Sequence, residues 1–162
     1  MSQTSDESLC WTPDEKSNSI CVIIKHLHGN MLSRWTDFLV SDGEKSWRNR
    51  DDEFEESNYS REEIMSLWEN GWKCLFNALN ALTVDDLQKI VYIRNAGQTV
   101  EDAILRQLAH YAYHVGQIVY VARLTNHGNW QSLSIPKGGS ASFNDARFVK
   151  EKRIKHFTND KQ

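Results

Sequence analysis

Proline is nearly absent from this chain, and its absence constrains the fold more than any other feature of the sequence. The two prolines are Pro13 and Pro136, so about 120 consecutive residues lack the strongest helix breaker. Apolar side chains recur along this stretch at helical spacing. The pattern predicts an all-α fold, and 162 residues with 40% hydrophobic content are enough for one packed domain.

Three long helices are predicted. The first runs over residues 19–40, with Ser17 and Asn18 as candidate N-caps. The second begins at Ser60, since Ser60 and Glu63 have the spacing of a capping box. The third runs from about residue 99 to residue 125 and is stopped by the Asn-His-Gly-Asn sequence that follows it.

The other segments are shorter or less regular. Residues 83–87 predict a short turn of helix, and residues 90–93, rich in β-formers, predict an isolated strand or an extended connector. Residues 133–144 are expected to form a loop, and residues 150–155 a short helix in a solvated basic segment. We therefore expect a helical bundle over residues 1–144 and a basic C-terminal tail over residues 145–162.

Charge and cysteine content exclude several classes of protein. A net charge of −3, from 19 basic and 22 acidic residues, provides no general attraction for nucleic acid or an anionic membrane. The sequence has neither an apolar run of about 18 residues nor a signal-peptide pattern, which favours a cytoplasmic protein. Cys10, Cys21 and Cys74 are odd in number and lack CxxC spacing, which favours buried structural thiols over a disulfide framework or a cysteine zinc site.

The most informative local feature is a pair of histidines one helical turn apart. His110 and His114 share a face of the third predicted helix, with Cβ atoms about 5–6 Å apart, so they can ligate one metal ion. Taken alone, this spacing more often belongs to ordinary surface or core histidines. The pair lies beside the apolar stripe of its helix, where a solvent-accessible pocket can form.

A catalytic site of this kind needs at least one more ligand. His26 and His28 on the first predicted helix are both candidates, and helical periodicity does not choose between them. A polar strip beside His26 favours it, because such residues can orient ligands or substrate; a hydrated helix margin is an equally good explanation. The strip contains Asn30, Arg34 and Asp37. The remaining histidines lie in segments expected to be irregular: His127 and His156.

The first two long helices are joined by a long polar segment, residues 41–59. It contains the run Trp47-Arg48-Asn49-Arg50-Asp51-Asp52, and its length makes it a candidate lid or substrate clamp. Arg48 or Arg50 could bind a carboxylate or phosphate, although an arginine-braced structural loop is the favoured interpretation. Tyr111 and Tyr113 are interpreted as packing residues.

Several short motifs together resemble a bacterial branch of the DinB/YfiT-like superfamily, over about residues 17–144. The matching stretches are 25–26, 29–31, 33–39, 42–45, 48–51, 106–110, 114–118 and 133–136. The resemblance implies a four-helix bundle, often a homodimer, with one divalent ion, zinc first and nickel second. It places the ligands on His26, His110 and His114. The candidates for contacts to these ligands or to substrate are Asn30, Arg34, Gln117, Arg48 and Arg50.

Relatives implied by this resemblance include thiol-dependent transferases, among them bacillithiol and mycothiol users, and metal-dependent isomerases or hydrolases. The branch itself is known as a domain of unknown function. We therefore expect a metal-dependent enzyme acting on a small molecule, with a low-molecular-weight thiol as a candidate substrate and no general base assignable from the sequence. The alternative is a non-catalytic metal-binding or dimerisation module in stress response.

The chain departs from the superfamily pattern at its start. Members usually have an additional long helix before the position of the first helix here, which only about 18 residues precede. A bundle without that helix would expose apolar surface. A truncated start, a helix supplied by a partner, or residues 145–157 could account for the difference.

Overall fold

The computed structural model describes residues 1–56, 58–126 and 128–154. The helices in these ranges are α1 (Asp6–Leu9), α2 (Ile20–Trp35), α3 (Arg61–Asn80), α4 (Val100–Thr125) and α5 (Ser140–Phe148). The strands are β1 (Ile90–Ile93) and β2 (Ala96–Thr99), and single 3-10 turns cover Asp51–Phe54 and Val84–Asp86. The chain is mostly helical, as the all-α prediction requires, but the small two-stranded hairpin departs from that prediction. No described helix is long and apolar enough to cross a membrane.

The described residues form two compact units, one within residues 1–128 and the other within residues 129–162. The first contains α1 to α4 and the hairpin, and the second contains α5. α5 runs across residue 144, where the sequence placed the end of the bundle, and that boundary stays a prediction. All the candidate site residues within the described ranges belong to the first unit.

α2 lies at the centre of the first unit, in contact with both α3 and α4. Its N-cap is Ser19, whose hydroxyl accepts from the Val22 amide at 3.1 Å. The predicted N-caps, Ser17 and Asn18, were therefore wrong. The helix ends at Trp35 rather than residue 40. Asp37 adopts a positive φ of 49°, and this left-handed conformation cannot continue a right-handed helix.

α3 packs closely against α2 and begins as predicted. Ser60 and Glu63 form the capping box, with the Ser60 hydroxyl accepting from the Glu63 amide and the Glu63 carboxylate accepting from the Ser60 amide. Gly71 explains the close packing, because a Cβ at this position would lie 2.9 Å from Sδ of Met31. A glycine that costs helix propensity therefore allows α2 and α3 to approach each other.

The β-forming run at residues 90–93 is a strand, and the structure supplies a partner that the sequence analysis missed. β1 pairs antiparallel with β2 through a tight turn in which Arg94 and Asn95 both have positive φ, as in a type I′ turn. Asp42 accepts from both of these backbone amides, at 2.8 and 2.9 Å. The hairpin leads directly into α4, which starts after the N-cap Thr99.

The C-terminal predictions were partly wrong. The predicted helix at residues 150–155 is not helical over its described part, residues 150–154, and α5 lies instead at residues 140–148, overlapping the predicted loop. α5 buries none of its residues. Because hydrophobic periodicity reports a buried face, a helix without one produces no such signal.

Residues 1–19 form an irregular segment that contains one helical turn, α1. α1 contacts both α2 and α4, and Leu9 is buried. Arg61 of α3 ties the segment down by donating to the Asp6 carboxylate at 2.5 Å and the Thr4 carbonyl at 2.6 Å. Cys10 at the end of α1 is exposed, so the prediction of buried thiols was wrong for this residue, whereas Cys21 is buried.

Candidate metal centre

Three histidines meet between α2 and α4. The Nε2 atoms of His110 and His114, one turn apart on α4, are 3.2 Å apart, and Nε2 of His26 on α2 lies 3.3 Å from Nε2 of His110. The candidate ligand atoms of all three lie within 4.8 Å of one another. His28 lines a different cleft, together with Lys25 and Tyr59. The packing of α2 on α4 therefore brings His26, and not His28, to the α4 pair.

The spacing of these nitrogens fits a metal ion. Zinc binds histidine nitrogen at about 2.0–2.1 Å in tetrahedral geometry, which places neighbouring ligand nitrogens about 3.3 Å apart. The Nε2 separations of His110 from His114 and from His26 match that edge length. A buried group of three histidines with this spacing could hold a metal ion.

The hydrogen bonds of the Nδ1 atoms determine which ring nitrogen of each histidine keeps a free lone pair. Nδ1 of His26 lies 3.0 Å from the Glu53 carboxylate, and Nδ1 of His114 lies 2.8 Å from Oε1 of Gln117. Since these oxygens accept hydrogen bonds, each Nδ1 carries the proton and each Nε2 directs a free lone pair inward. Tyr113 fixes the Gln117 amide by accepting from its Nε2 at 3.1 Å. Gln117, one of the candidates named from the sequence, thus contacts His114.

Glu53 is the main site residue that the sequence analysis missed. Its carboxylate accepts from Nε and Nη2 of Arg48 at 2.7 and 2.8 Å, in addition to its contact with His26. Burial by itself would raise the pKa of Glu53, but hydrogen bonds from Arg48 and His26 outweigh burial and hold the pKa below its ordinary value. A buried, ionised carboxylate behind a ligating histidine is a recurrent feature of metal sites. The run of loop residues singled out from the sequence ended at Asp52, one position before Glu53.

A glycine on α2 makes room for this carboxylate. A Cβ at Gly29 would overlap the Glu53 side chain, so glycine leaves the space that this carboxylate occupies beside α2. The ring of Phe54 then packs on His26, with centroids 4.9 Å apart. Arg48 braces the segment between α2 and α3 through its ion pair with Glu53. This is the arginine-braced loop that the sequence favoured.

In front of the histidines lies a cleft of about 440 Å³. Its walls carry five arginines: Arg34, Arg48, Arg50, Arg94 and Arg106. Arg34 donates to the Gly43 carbonyl, and both Arg34 and Arg94 pair with Glu44. Arg50 lies over the Phe54 ring, and Arg106 is exposed on α4. Neither Arg50 nor Arg106 has a carboxylate partner among the described residues, so both are free to meet an anion.

The other polar candidates on α2 have different roles from those expected. Asn30 lines the cleft, but its amide oxygen accepts from the Tyr111 hydroxyl at 3.2 Å rather than orienting a histidine. Trp35 donates to the same hydroxyl at 2.8 Å, and Tyr111 is buried, which confirms it as a packing residue. Asp37 lies beyond the end of α2, and His127 and His156 lie outside the described residues.

Burial favours the neutral form of the His110 and His114 imidazoles. It lowers the pKa of His110 to about 4, assisted by repulsion from His114 and His26, and it also lowers the pKa of His114. Metal ions bind the neutral form of histidine. His110 is therefore in its metal-binding form over the whole neutral and mildly acidic range.

The metal-free protein is expected to lose stability as pH falls from about 6.5 to about 4. In this window the unfolded chain protonates His110 at its ordinary pKa of 6.5, whereas the folded chain resists protonation down to about 4. Protons therefore favour the unfolded state. Urea denaturation midpoints measured across this range, with chelator present, should show a shallower pH dependence for His110→Asn than for the wild type. Equal slopes in the two proteins would contradict the prediction. Below about pH 4.5, protonation of Glu53, whose pKa is lowered in the folded protein, adds a further loss in both proteins.

The fold and site define a class: a mostly helical protein with a buried three-histidine group that could hold one metal ion beneath an arginine-lined cleft. The chain belongs to the DUF1572 family of proteins of unknown function, whose model matches residues 1–139. No curated protein and no solved structure matches it.

Proposed function

We propose that this protein is a metal-dependent enzyme in which His26, His110 and His114 hold one divalent ion, zinc or nickel. The observation that carries the proposal is the Nε2 spacing of 3.2 and 3.3 Å, which fits the edge of a tetrahedral site. Three described ligands, rather than four, face a cleft open to solvent. This arrangement leaves a coordination position for substrate or water, as catalytic sites do and closed structural sites do not.

A bound ion would supply Lewis acidity and lower the pKa of a water molecule or thiol that reaches it. The protein's own residues hold the ion and orient its histidine ligands. Both oxygens of Glu53 already accept hydrogen bonds, from His26 and Arg48, so Glu53 is a positioning residue and not a general base. Thiol transfer is compatible with this arrangement, because a deprotonated thiol is itself the nucleophile. Membership of the DinB/YfiT-like superfamily, supported by the motif resemblance, favours a thiol-dependent transferase or a hydrolase.

The arginines favour a small substrate that bears a carboxylate or phosphate. Arg50 and Arg106 lie along the cleft, and guanidinium groups bind such anions through paired hydrogen bonds. Arg48 instead forms an ion pair with Glu53 and holds in place the carboxylate that contacts His26. We assign substrate binding to Arg50 and Arg106 and bracing to Arg34 and Arg48.

A homodimer remains part of the proposal, as does a cytoplasmic location. α4 exposes several large apolar side chains that a second copy could cover. They include Leu105, Leu108, Tyr120 and Leu124, each at least half exposed. A non-catalytic metal-binding module is the alternative function, and its signature is a closed site with four protein ligands.

Protein purified without an affinity tag is expected to carry about one divalent ion per chain. Elemental analysis measures the ion, and X-ray absorption should show three histidine nitrogens together with an exchangeable light-atom ligand. A small thiol such as dithiothreitol, added to the cobalt-substituted protein, should produce a sulfur-to-metal charge-transfer band. Protein that neither carries nor takes up metal would defeat the proposal, and a closed four-ligand site would support the alternative module.

A further inference from the structure

Two of the three cysteines lie side by side at a distance from the histidines. Cys10 follows α1 and is exposed, and Cys21 lies in the first turn of α2 and is fully buried. Their Sγ atoms are only 2.9 Å apart. A disulfide has an S–S distance of about 2.05 Å, so a movement of less than about 1 Å would allow the bond to form.

We propose that Cys10 and Cys21 form a reversible disulfide that fastens the N-terminal segment to α2. The segment is otherwise held by α1, by Leu9 in the core and by the contacts of Arg61. Residues 10–21 would become a short closed loop, and such a crosslink restricts the unfolded chain. The redox state of the pair would thus set how firmly residues 1–19 are held against α2 and α4.

The two thiols differ in a way that assigns their order of reaction. Cys10 is accessible to a reagent, whereas burial, together with the neighbouring Cys10, raises the pKa of the Cys21 thiol. Cys10 is therefore the attacking thiol and Cys21 the resolving thiol.

The oxidant is a low-molecular-weight disulfide. The Cys10 thiolate attacks one of its sulfurs, breaking the S–S bond and releasing one thiol. Cys21 then gives up its proton as its sulfur attacks the Cys10 sulfur of the mixed disulfide, releasing the second thiol. One external disulfide is reduced to two thiols, which carry the two cysteine protons, and one internal disulfide is formed.

The third cysteine provides a matched control. Sγ of Cys74 lies on α3 near the Thr36 hydroxyl and the Met31 carbonyl, at 3.8 and 3.9 Å. Neither Cys10 nor Cys21 is among its hydrogen-bonding partners. Cys74→Ser should leave the reaction of the Cys10–Cys21 pair unchanged.

The test treats the full-length protein with oxidised glutathione and measures intact mass by mass spectrometry, with peptide mapping of the linked sites. Wild type and Cys74→Ser should each lose two hydrogen atoms through a Cys10–Cys21 bond. Cys21→Ser should stop at a glutathione adduct on Cys10, and Cys10→Ser should leave Cys21 unmodified. Oxidation should also raise the melting temperature of Cys74→Ser but not that of Cys21→Ser.

A wild-type protein that stays reduced, or that retains a glutathione adduct on Cys10 with Cys21 free, would overturn the proposal. If Cys21→Ser fails to fold, Cys21→Ala replaces it, since alanine puts no hydroxyl into the buried position. The readout does not depend on the metal centre, so its outcome is separate from that of the proposed function.

Discussion

Replacement of any one of His26, His110 or His114 by alanine is expected to lower the affinity for zinc by more than about 100-fold. Loss of a partner that merely orients a ligand typically lowers affinity 10- to 100-fold, and loss of a ligand itself should exceed this. Each variant would retain two nitrogens in a site whose Nε2 spacing fits three. Calorimetric titration of the metal-free variants with zinc measures the effect.

His28→Ala is the matched control, because it removes a histidine from the same helix whose side chain lines a different cleft. Its zinc affinity should equal that of the wild type. His127→Ala and His156→Ala are likewise expected to leave binding nearly unchanged. Should His28→Ala abolish binding while His26→Ala retains it, the assignment of the ligand on α2 would be wrong.

Glu53→Ala is expected to reduce zinc affinity about 10- to 100-fold and to lower the free energy of unfolding by about 3 kcal/mol. The first effect arises because Nδ1 of His26 loses the carboxylate that holds the ring and its tautomer. The second arises because the Arg48 side chain, only 3% exposed, is left charged without its partner. Zinc titration and urea unfolding of the metal-free protein measure the two quantities.

Asp51→Ala serves as the control for the Glu53 variant, because Asp51 lies on the same 3-10 turn but is exposed. A second substitution, on α2, tests the position of the Glu53 carboxylate without changing Glu53 itself. Gly29→Ala should also weaken zinc binding, because the added methyl group displaces the carboxylate, whereas Gly116→Ala on α4 meets no atom within 4 Å and should not. Equal affinity in Gly29→Ala and Gly116→Ala would show that the position of Glu53 is not important for the site.

The helices were predictable to the extent that they bury a face. α3 and α4 start where their capping residues indicate, since Ser60 and Thr99 bond to amides within their own first turns. α2 was predicted five residues too long, because Phe38 continues the apolar pattern although the backbone has already left the helix at Asp37. Phe38 instead packs on Trp35, with ring centroids 4.6 Å apart.

The sequence by itself determined the α4 half of the candidate site. A spacing of four residues on a helix places His110 and His114 on one face whatever surrounds them, and Gln117 follows at the next turn. These are local relations, set by the geometry of one helix.

The α2 half was decided only by the tertiary structure. Periodicity could not choose between His26 and His28, and the choice rested on family resemblance until the packing of α2 on α4 brought His26 to the pair. Glu53 reaches His26 across 27 residues of chain, and Cys10 reaches Cys21 through the path of an irregular segment. Such contacts depend on how a loop folds back on a helix, and no local propensity or periodicity encodes that path.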